Sequence, residues 1–186
     1  MNRKEFEKKL YRRLAQVSIG AAAIRNQGGS GLIEILRDYF ECEINPTIFF
    51  RTVTKKQAYR NFLDYHTVQV LKRFPKGAKS WGAARKGLNL FFRDLVYNGY
   101  YSNKYVVPND YFELNLFLQY MEVPLDKEVA HGIITDSEEK IPRWMNIKKL
   151  TPAISDIYQE QAQIIASQRG TARINLDLIY WRSDDV

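Results

Sequence analysis

The sequence predicts an all-α fold, built as a single helical unit over residues 1–186. Apolar residues recur at helical spacing in most segments, and clusters of glycine or proline separate those segments from one another. Hydrophobic residues make up 45% of the chain, which is an ordinary level for a globular core and argues against long disordered stretches. Only the tail, 172–181, alternates in places, so either a short strand or a last helix remains open there.

Seven or so helices follow from the apolar spacing and from the residues that interrupt it. They are expected at 3–25, 32–41, 54–71, 83–101, 109–120, from about 125 onward, and at 151–168. Glycines within 26–31 break the chain between the first two helices, and Asn45-Pro46 marks a turn before the third. Thr151-Pro152 is a capping residue followed by a first-turn proline, which is typical of a helix start.

The composition limits the chemistry available to the chain. Cys42 is the single cysteine, which excludes an internal disulfide and a cysteine-rich metal site. His66 and His131 are too few to form a good metal site with it, so we expect neither a metal nor a cofactor. The 28 Lys and Arg residues outnumber the 21 Asp and Glu residues, and the net charge of +7 favours a polyanionic partner such as nucleic acid.

Membrane insertion and secretion are not expected. No apolar run approaches the roughly 20 residues that a membrane-spanning helix needs. The N-terminal residues 1–13 are rich in charge and lack the apolar core of a secretory signal. We therefore expect a cytoplasmic protein with no membrane partner, and we expect it to act as a monomer.

The segment 83–101 carries the clearest pattern. Its apolar stripe consists of Ala84, Leu88, Phe91, Phe92 and Leu95. At about 100° per residue, four polar or aromatic residues fall together on roughly the opposite face: Lys86, Asn89, Arg93 and Tyr97. The segment therefore predicts an amphipathic helix with a polar, cationic face.

The string 79–89, KSWGAARKGLN, resembles the hairpin and second helix of the helix-hairpin-helix DNA glycosylases. In that family a tight glycine-hydrophobic-glycine turn presents backbone N–H groups to a DNA phosphate, and a lysine follows at the start of the next helix. Here Gly82 stands at the first glycine and Ala84 replaces the second. The resemblance implies that Lys86 is the nucleophilic lysine, and that two helical lobes surround a central cleft.

A second string, 123–129, supports the same resemblance. Its sequence VPLDKEV is similar to the family's VPVDTHV, whose aspartate is catalytic, and this implies the same role for Asp126. Lys86 and Asp126 are 40 residues apart, a longer separation than is usual in the family, so an inserted helix is expected near 109–120. A helix N-terminus binds phosphate, as expected of the string 79–89, and it stabilises a nearby anion, as expected of Asp126 in the string 123–129.

The resemblance implies an enzyme that flips a damaged or modified base out of double-stranded DNA and excises it, in DNA repair or in defence against viral DNA. A free amine on Lys86 could attack the sugar C1′ and form a Schiff base, which would also allow a lyase step. The residues expected to contact DNA are Asn26, Gln27, Gly82, Ala84, Arg85, Asn89, Arg93, Arg143 and Lys148.

Two other functions remain open from the sequence. Residues 60–66 fit the R-N-x4-H pattern of the all-α HEPN ribonucleases, in which Arg60 and His66 would cleave RNA. His66 also lies on an apolar stripe, where a hydrogen-bonded core histidine is the simpler interpretation. A non-catalytic helix-hairpin-helix DNA-binding module needs only the basic face and the hairpin.

Overall fold

The structure is a computed structural model that describes residues 1–20, 23–24, 30–105 and 111–181, apart from the side chains of 111–113 and 116. All regular secondary structure in these ranges is helical, and they contain no strand. The predicted all-α fold class is therefore confirmed.

The described ranges contain ten α-helices. They are α1 (Arg3–Val17), α2 (Leu32–Glu43), α3 (Pro46–Thr52), α4 (Lys56–Arg73), α5 (Trp81–Tyr97), α6 (Gly99–Tyr105), α7 (Tyr111–Leu118), α8 (Lys127–Asp136), α9 (Pro152–Gln168) and α10 (Leu176–Tyr180). Short 3-10 turns lie at Lys76–Ala78, Ile147–Lys149 and Arg173–Asn175.

Side-chain capping explains where two expected elements differ from the observed ones. Asn45 and Pro46 begin a helix instead of marking a turn, because the Asn45 side chain accepts hydrogen bonds from the first backbone N–H groups of α3 and Pro46 occupies its first position. Asn98 divides the expected helix 83–101 into α5 and α6, and its side chain accepts from the N–H groups of Tyr100 and Tyr101.

Two other helix boundaries differ from expectation, and Lys55 instead of Thr54 is the N-cap of α4. The helix expected at 3–25 ends as α1 at Val17, and α4 begins at Lys56, two residues after Thr54. Within the described residues, α7 corresponds to the inserted helix expected near 109–120, and the tail contains α10 instead of a strand. Thr151 caps α9 through the N–H of Ile154, as its sequence predicts.

Two hydrophobic clusters organise the packing, and α5 lies at their boundary. The first cluster draws on helices α1 to α6 together with Leu118 and Met121, and it also includes Ala172 and Ile174. The second runs from Val123 to Tyr180 and is built around α8, α9 and α10. The apolar stripe predicted on α5 is buried in the first cluster, where Phe91 stacks on Phe40 with ring centroids 4.4 Å apart.

The expected tight turn at Gly82–Ala84 is wrong, because these residues form the first turn of α5. The chain reverses earlier, between α4 and α5, over 74–80. Gly82 is needed for packing instead: a Cβ atom there would lie 2.2 Å from the Ile147 carbonyl oxygen and 2.8 Å from Leu150 Cβ. The absence of a side chain therefore lets 147–150 lie directly against the start of α5.

Candidate functional site

The polar face of α5 is paired with acidic and polar residues from 122–177. Lys86 contacts Asp126, and Asn89 contacts Glu122. Farther along α5, Arg93 donates a hydrogen bond to Asp177. The cationic face predicted from the sequence is therefore largely an internal interface between two parts of the chain.

Lys86 and Asp126 converge, as the sequence predicted. The Lys86 Nζ atom lies 3.2 Å from Asp126 Oδ2, although the two residues are 40 positions apart. The Lys86 side chain is 8% exposed and that of Asp126 is 28% exposed, so the carboxylate reaches the surface. The other carboxylate oxygen, Oδ1, accepts a hydrogen bond from the Val129 N–H at 3.0 Å, which makes Asp126 the N-cap of α8.

That capping position suits an anion. The first N–H groups of a helix have no partner within the helix, and the helix dipole is positive at this end. The sequence placed Asp126 in the first turn of a helix beginning near Leu125, whereas α8 begins at Lys127. The shift puts the Asp126 carboxylate across the N-terminus of α8 and directly against the Lys86 amine.

Arg85, the neighbour of Lys86, has a different environment and does not face a ligand. Its side chain is 2% exposed, and its guanidinium donates to both carboxylate oxygens of Glu122 at 2.7 and 2.8 Å. It also donates to Asp64 and to Thr67. Four of its five N–H donors are therefore engaged within the chain, and the expected contact of Arg85 with DNA stays a prediction.

Glu122 is the residue that sequence reasoning missed. Burial acts to raise the pKa of its carboxyl group, but the charges of Arg85 and Arg173 outweigh burial and hold the pKa below its usual value. Arg60 also approaches it at 3.4 Å. A lone acid between the apolar residues Met121 and Val123 was the available signal, since a buried carboxylate requires cationic partners.

The remaining residues expected to contact DNA have different positions. Gly82, Ala84 and Asn89 are buried and have no surface available for DNA in this structure, while Arg93 is partly exposed and engaged by Asp94 and Asp177. Asn26 and Gln27 lie outside the described residues. Only Arg143 and Lys148 of this set are exposed and, among the described residues, form no ion pair.

Exposed lysines accumulate where the start of α5 meets the 3-10 turn at Ile147–Lys149. Lys79 precedes the N-cap of α5, and Lys148 and Lys149 lie in the turn that packs on Gly82. Lys127 follows Asp126 and is also exposed. We call these four lysines the lysine rim, and exposed positive charge of this kind attracts phosphate.

The space beside Lys86 is small in this structure. A cavity lined by Lys86, Asn89, Leu125, Leu150 and Ser155, together with parts of Arg85 and Gln159, is too narrow to hold a water molecule. A separate cleft of about 470 Å³ lies between α4 and α9, and neither Lys86 nor Asp126 lines it. A nucleotide therefore needs the Lys86 cavity to open.

The ribonuclease pattern at 60–66 does not form a shared site within the chain. Arg60 pairs with Asp156 on α9, whereas the His66 Nδ1 atom lies 2.6 Å from the Tyr39 hydroxyl on α2. Burial lowers the pKa of His66 to about 4. The interpretation of His66 as a hydrogen-bonded core residue is confirmed, and Arg60 and His66 lie at different helix interfaces.

Comparison of the chain with protein-family models, with curated proteins and with solved structures finds no match. Among the described residues, no group of three His, Cys, Asp or Glu side chains is arranged to bind a metal ion. None of the described helices has the length and apolarity required to cross a membrane.

Proposed function

We propose that this chain is a DNA glycosylase that excises a damaged or modified base from double-stranded DNA, with Lys86 and Asp126 in the roles of the helix-hairpin-helix family but without that family's glycine turn at 82–84. The observation that carries the proposal is the 3.2 Å contact between Lys86 Nζ and Asp126 Oδ2. The resemblance assigned the nucleophile and the catalytic carboxylate to two residues far apart in the sequence. An amine and a carboxylate meeting at a partly exposed site is what that chemistry requires.

Each member of the pair has a role in the proposed reaction. The Lys86 ammonium group first loses a proton to solvent, and the free amine donates its lone pair to C1′ of an extruded nucleotide. The bond from C1′ to the base breaks, and the nitrogen newly bonded to C1′ releases a second proton to solvent. The base leaves with the bonding electrons and takes a proton from solvent. Asp126, held at the N-terminus of α8, stabilises the positive charge that develops on the sugar.

The charge distribution supports DNA as the partner. The chain carries a net charge of +7, and exposed lysines at 79, 127, 148 and 149 lie in segments next to those that carry the candidate site. Binding of the sugar requires the Lys86 and Asp126 side chains to separate, which opens the small cavity between Leu125 and Leu150. The lysine rim provides the phosphate contacts that would accompany this opening.

Borohydride trapping on modified duplexes tests the proposal. The panel contains duplexes with 8-oxoguanine, uracil, an abasic site or a bulky virus-type modified cytosine, with base release measured in parallel. We expect at least one duplex to lose its base and to form a covalent adduct with the wild-type chain. Lys86→Ala removes the nucleophile and abolishes the adduct, whereas the control Lys4→Ala, at an exposed lysine on α1, forms it normally.

The same experiment contains the outcomes that would contradict the proposal. DNA binding that weakens steeply with salt, without base release or adduct on any duplex, would identify a non-catalytic binding module. Cleavage of RNA that is lost in His66→Ala would support a ribonuclease instead. An adduct that survives Lys86→Ala would exclude Lys86 as the nucleophile.

A further inference from the structure

Asn89 carries a buried polar atom that the structure leaves unsatisfied. Its side chain is 2% exposed, and its Oδ1 atom has no hydrogen-bond partner. An unpaired buried acceptor destabilises a fold, so its presence at this position indicates a second role for Asn89. This atom belongs to a residue that lines the same small cavity as Lys86.

The orientation of the Asn89 amide is fixed by its neighbour. Its Nδ2 atom donates to Glu122 Oε2 at 3.3 Å, and the ionised Glu122 carboxylate can only accept hydrogen bonds. Arg85 and Arg60 in turn hold Glu122 in place. Reversing the Asn89 amide would set two acceptors against each other, so Oδ1 is held away from Glu122.

Lys86 is a donor that lines the same cavity as that acceptor. Asn89 follows Lys86 by three positions on α5, and side chains at this spacing are neighbours on a helix surface. In the present structure Asp126 is the one described residue to which Lys86 donates, and an ammonium group has three donors. The unsatisfied acceptor and the underused donor therefore line one cavity.

We propose that Asn89 is a positioning residue for Lys86, which receives the Lys86 amine when substrate separates it from Asp126. This inference rests on the proposed function. Asn89 Oδ1 accepts one N–H of the amine and thereby directs the nitrogen lone pair toward C1′. The present structure then represents the resting state, in which Lys86 donates to Asp126 and Asn89 Oδ1 has no hydrogen-bond partner.

The structure of the Asp126→Asn variant tests this positioning without any substrate. Asparagine keeps the capping oxygen for α8 but removes the charge that holds Lys86. We expect Lys86 Nζ to move to within about 3 Å of Asn89 Oδ1. A Lys86 side chain that extends into solvent, with Asn89 Oδ1 still unpaired, would overturn the proposal.

The second test compares two buried amides. Asn89→Leu removes the unpaired acceptor, whereas Gln161→Leu removes an amide whose oxygen and nitrogen both have partners, Ser137 and Glu139. On duplex DNA with an abasic site, we expect Asn89→Leu to lower the single-turnover rate of borohydride trapping about 10- to 100-fold, with DNA affinity retained. Because Asn89→Leu also removes the Nδ2 donor to Glu122, its melting temperature should fall, but no further than that of Gln161→Leu. Gln161→Leu should lower the melting temperature and leave the trapping rate unchanged.

The outcomes separate this inference from the proposed function. If the wild-type chain forms no adduct, the proposed function fails, and the Asp126→Asn structure still decides whether Asn89 receives Lys86. If the wild-type chain reacts and Asn89→Leu reacts equally fast, the positioning role is excluded. A loss of rate in Asn89→Leu that follows a loss of folding, as measured by melting temperature, also excludes it.

Discussion

Two adjacent residues on α5, Arg85 and Lys86, form ion pairs that differ in their exposure to solvent. Arg85 and Glu122 are 2% and 3% exposed, and the Arg85 guanidinium makes four hydrogen bonds. Lys86 has Asp126 as its partner, and that carboxylate is 28% exposed. The pair of Arg85 and Glu122 is buried and uses four of the five guanidinium N–H donors. In the second pair, one Lys86 N–H donates to Asp126, and the Asp126 carboxylate is partly exposed to solvent.

The difference indicates which pair supports the fold and which is available for chemistry. A buried pair in which four of the five guanidinium N–H donors are engaged cannot bind a ligand without losing contacts that the fold requires. A pair at the surface edge of the same interface can separate at lower cost, because solvent reaches one partner. The geometry therefore assigns a structural role to Arg85 and leaves Lys86 as the candidate nucleophile.

The largest expected effect on stability comes from breaking the buried ion pair of Arg85 and Glu122. Glu122→Gln leaves the buried Arg85 charge with Asp64 as its remaining carboxylate, and we expect the free energy of unfolding to fall by about 3–5 kcal/mol. Urea unfolding measures this change. Glu128→Gln, at an exposed acid on α8, is the control and should change stability by less than about 1 kcal/mol. Equal losses in the two variants would contradict the structural assignment of Arg85 and Glu122.

An intermediate effect on stability is expected from Gly82→Ala, which changes none of the four residues of the two ion pairs. The new methyl group would meet the Ile147 carbonyl oxygen, so the segment 147–150 must move away from α5. We expect a loss of about 1–3 kcal/mol in the free energy of unfolding, measured by thermal or urea unfolding. Gly99→Ala, where no atom lies within 4 Å of the added Cβ, should cause no loss. Unchanged stability in Gly82→Ala would show that this close packing is not required.

The smallest effect on stability is expected at the ion pair of Lys86 and Asp126. Asp126→Asn keeps the cap of α8 and offers Lys86 the Asn89 oxygen as a substitute acceptor, so we expect a loss of about 1 kcal/mol. Urea unfolding of Asp126→Asn and Glu122→Gln under the same conditions compares their free energies of unfolding. A loss in Asp126→Asn as large as that of Glu122→Gln would mean that both pairs are structural.

Local sequence signals predicted the helices well where capping and spacing act within a few residues. The buried stripe of α5 and the start of α9 at Thr151-Pro152 followed from side-chain periodicity and from capping. The boundary at Asn98 was missed, because the same apolar pattern continues across it. The convergence of Lys86 and Asp126 was predicted only through the resemblance of two short strings to a family.

What the sequence by itself determined is therefore the all-α class, the amphipathic α5 and the two residues of the candidate site. Only the tertiary structure decided the direction in which the polar face of α5 points. Periodicity identifies a face, but the same polar residues serve on a DNA-binding surface or against buried acids. Glu122, which lies 37 positions from Arg85, made this face an interface, because burying its charge is tolerable only beside cations.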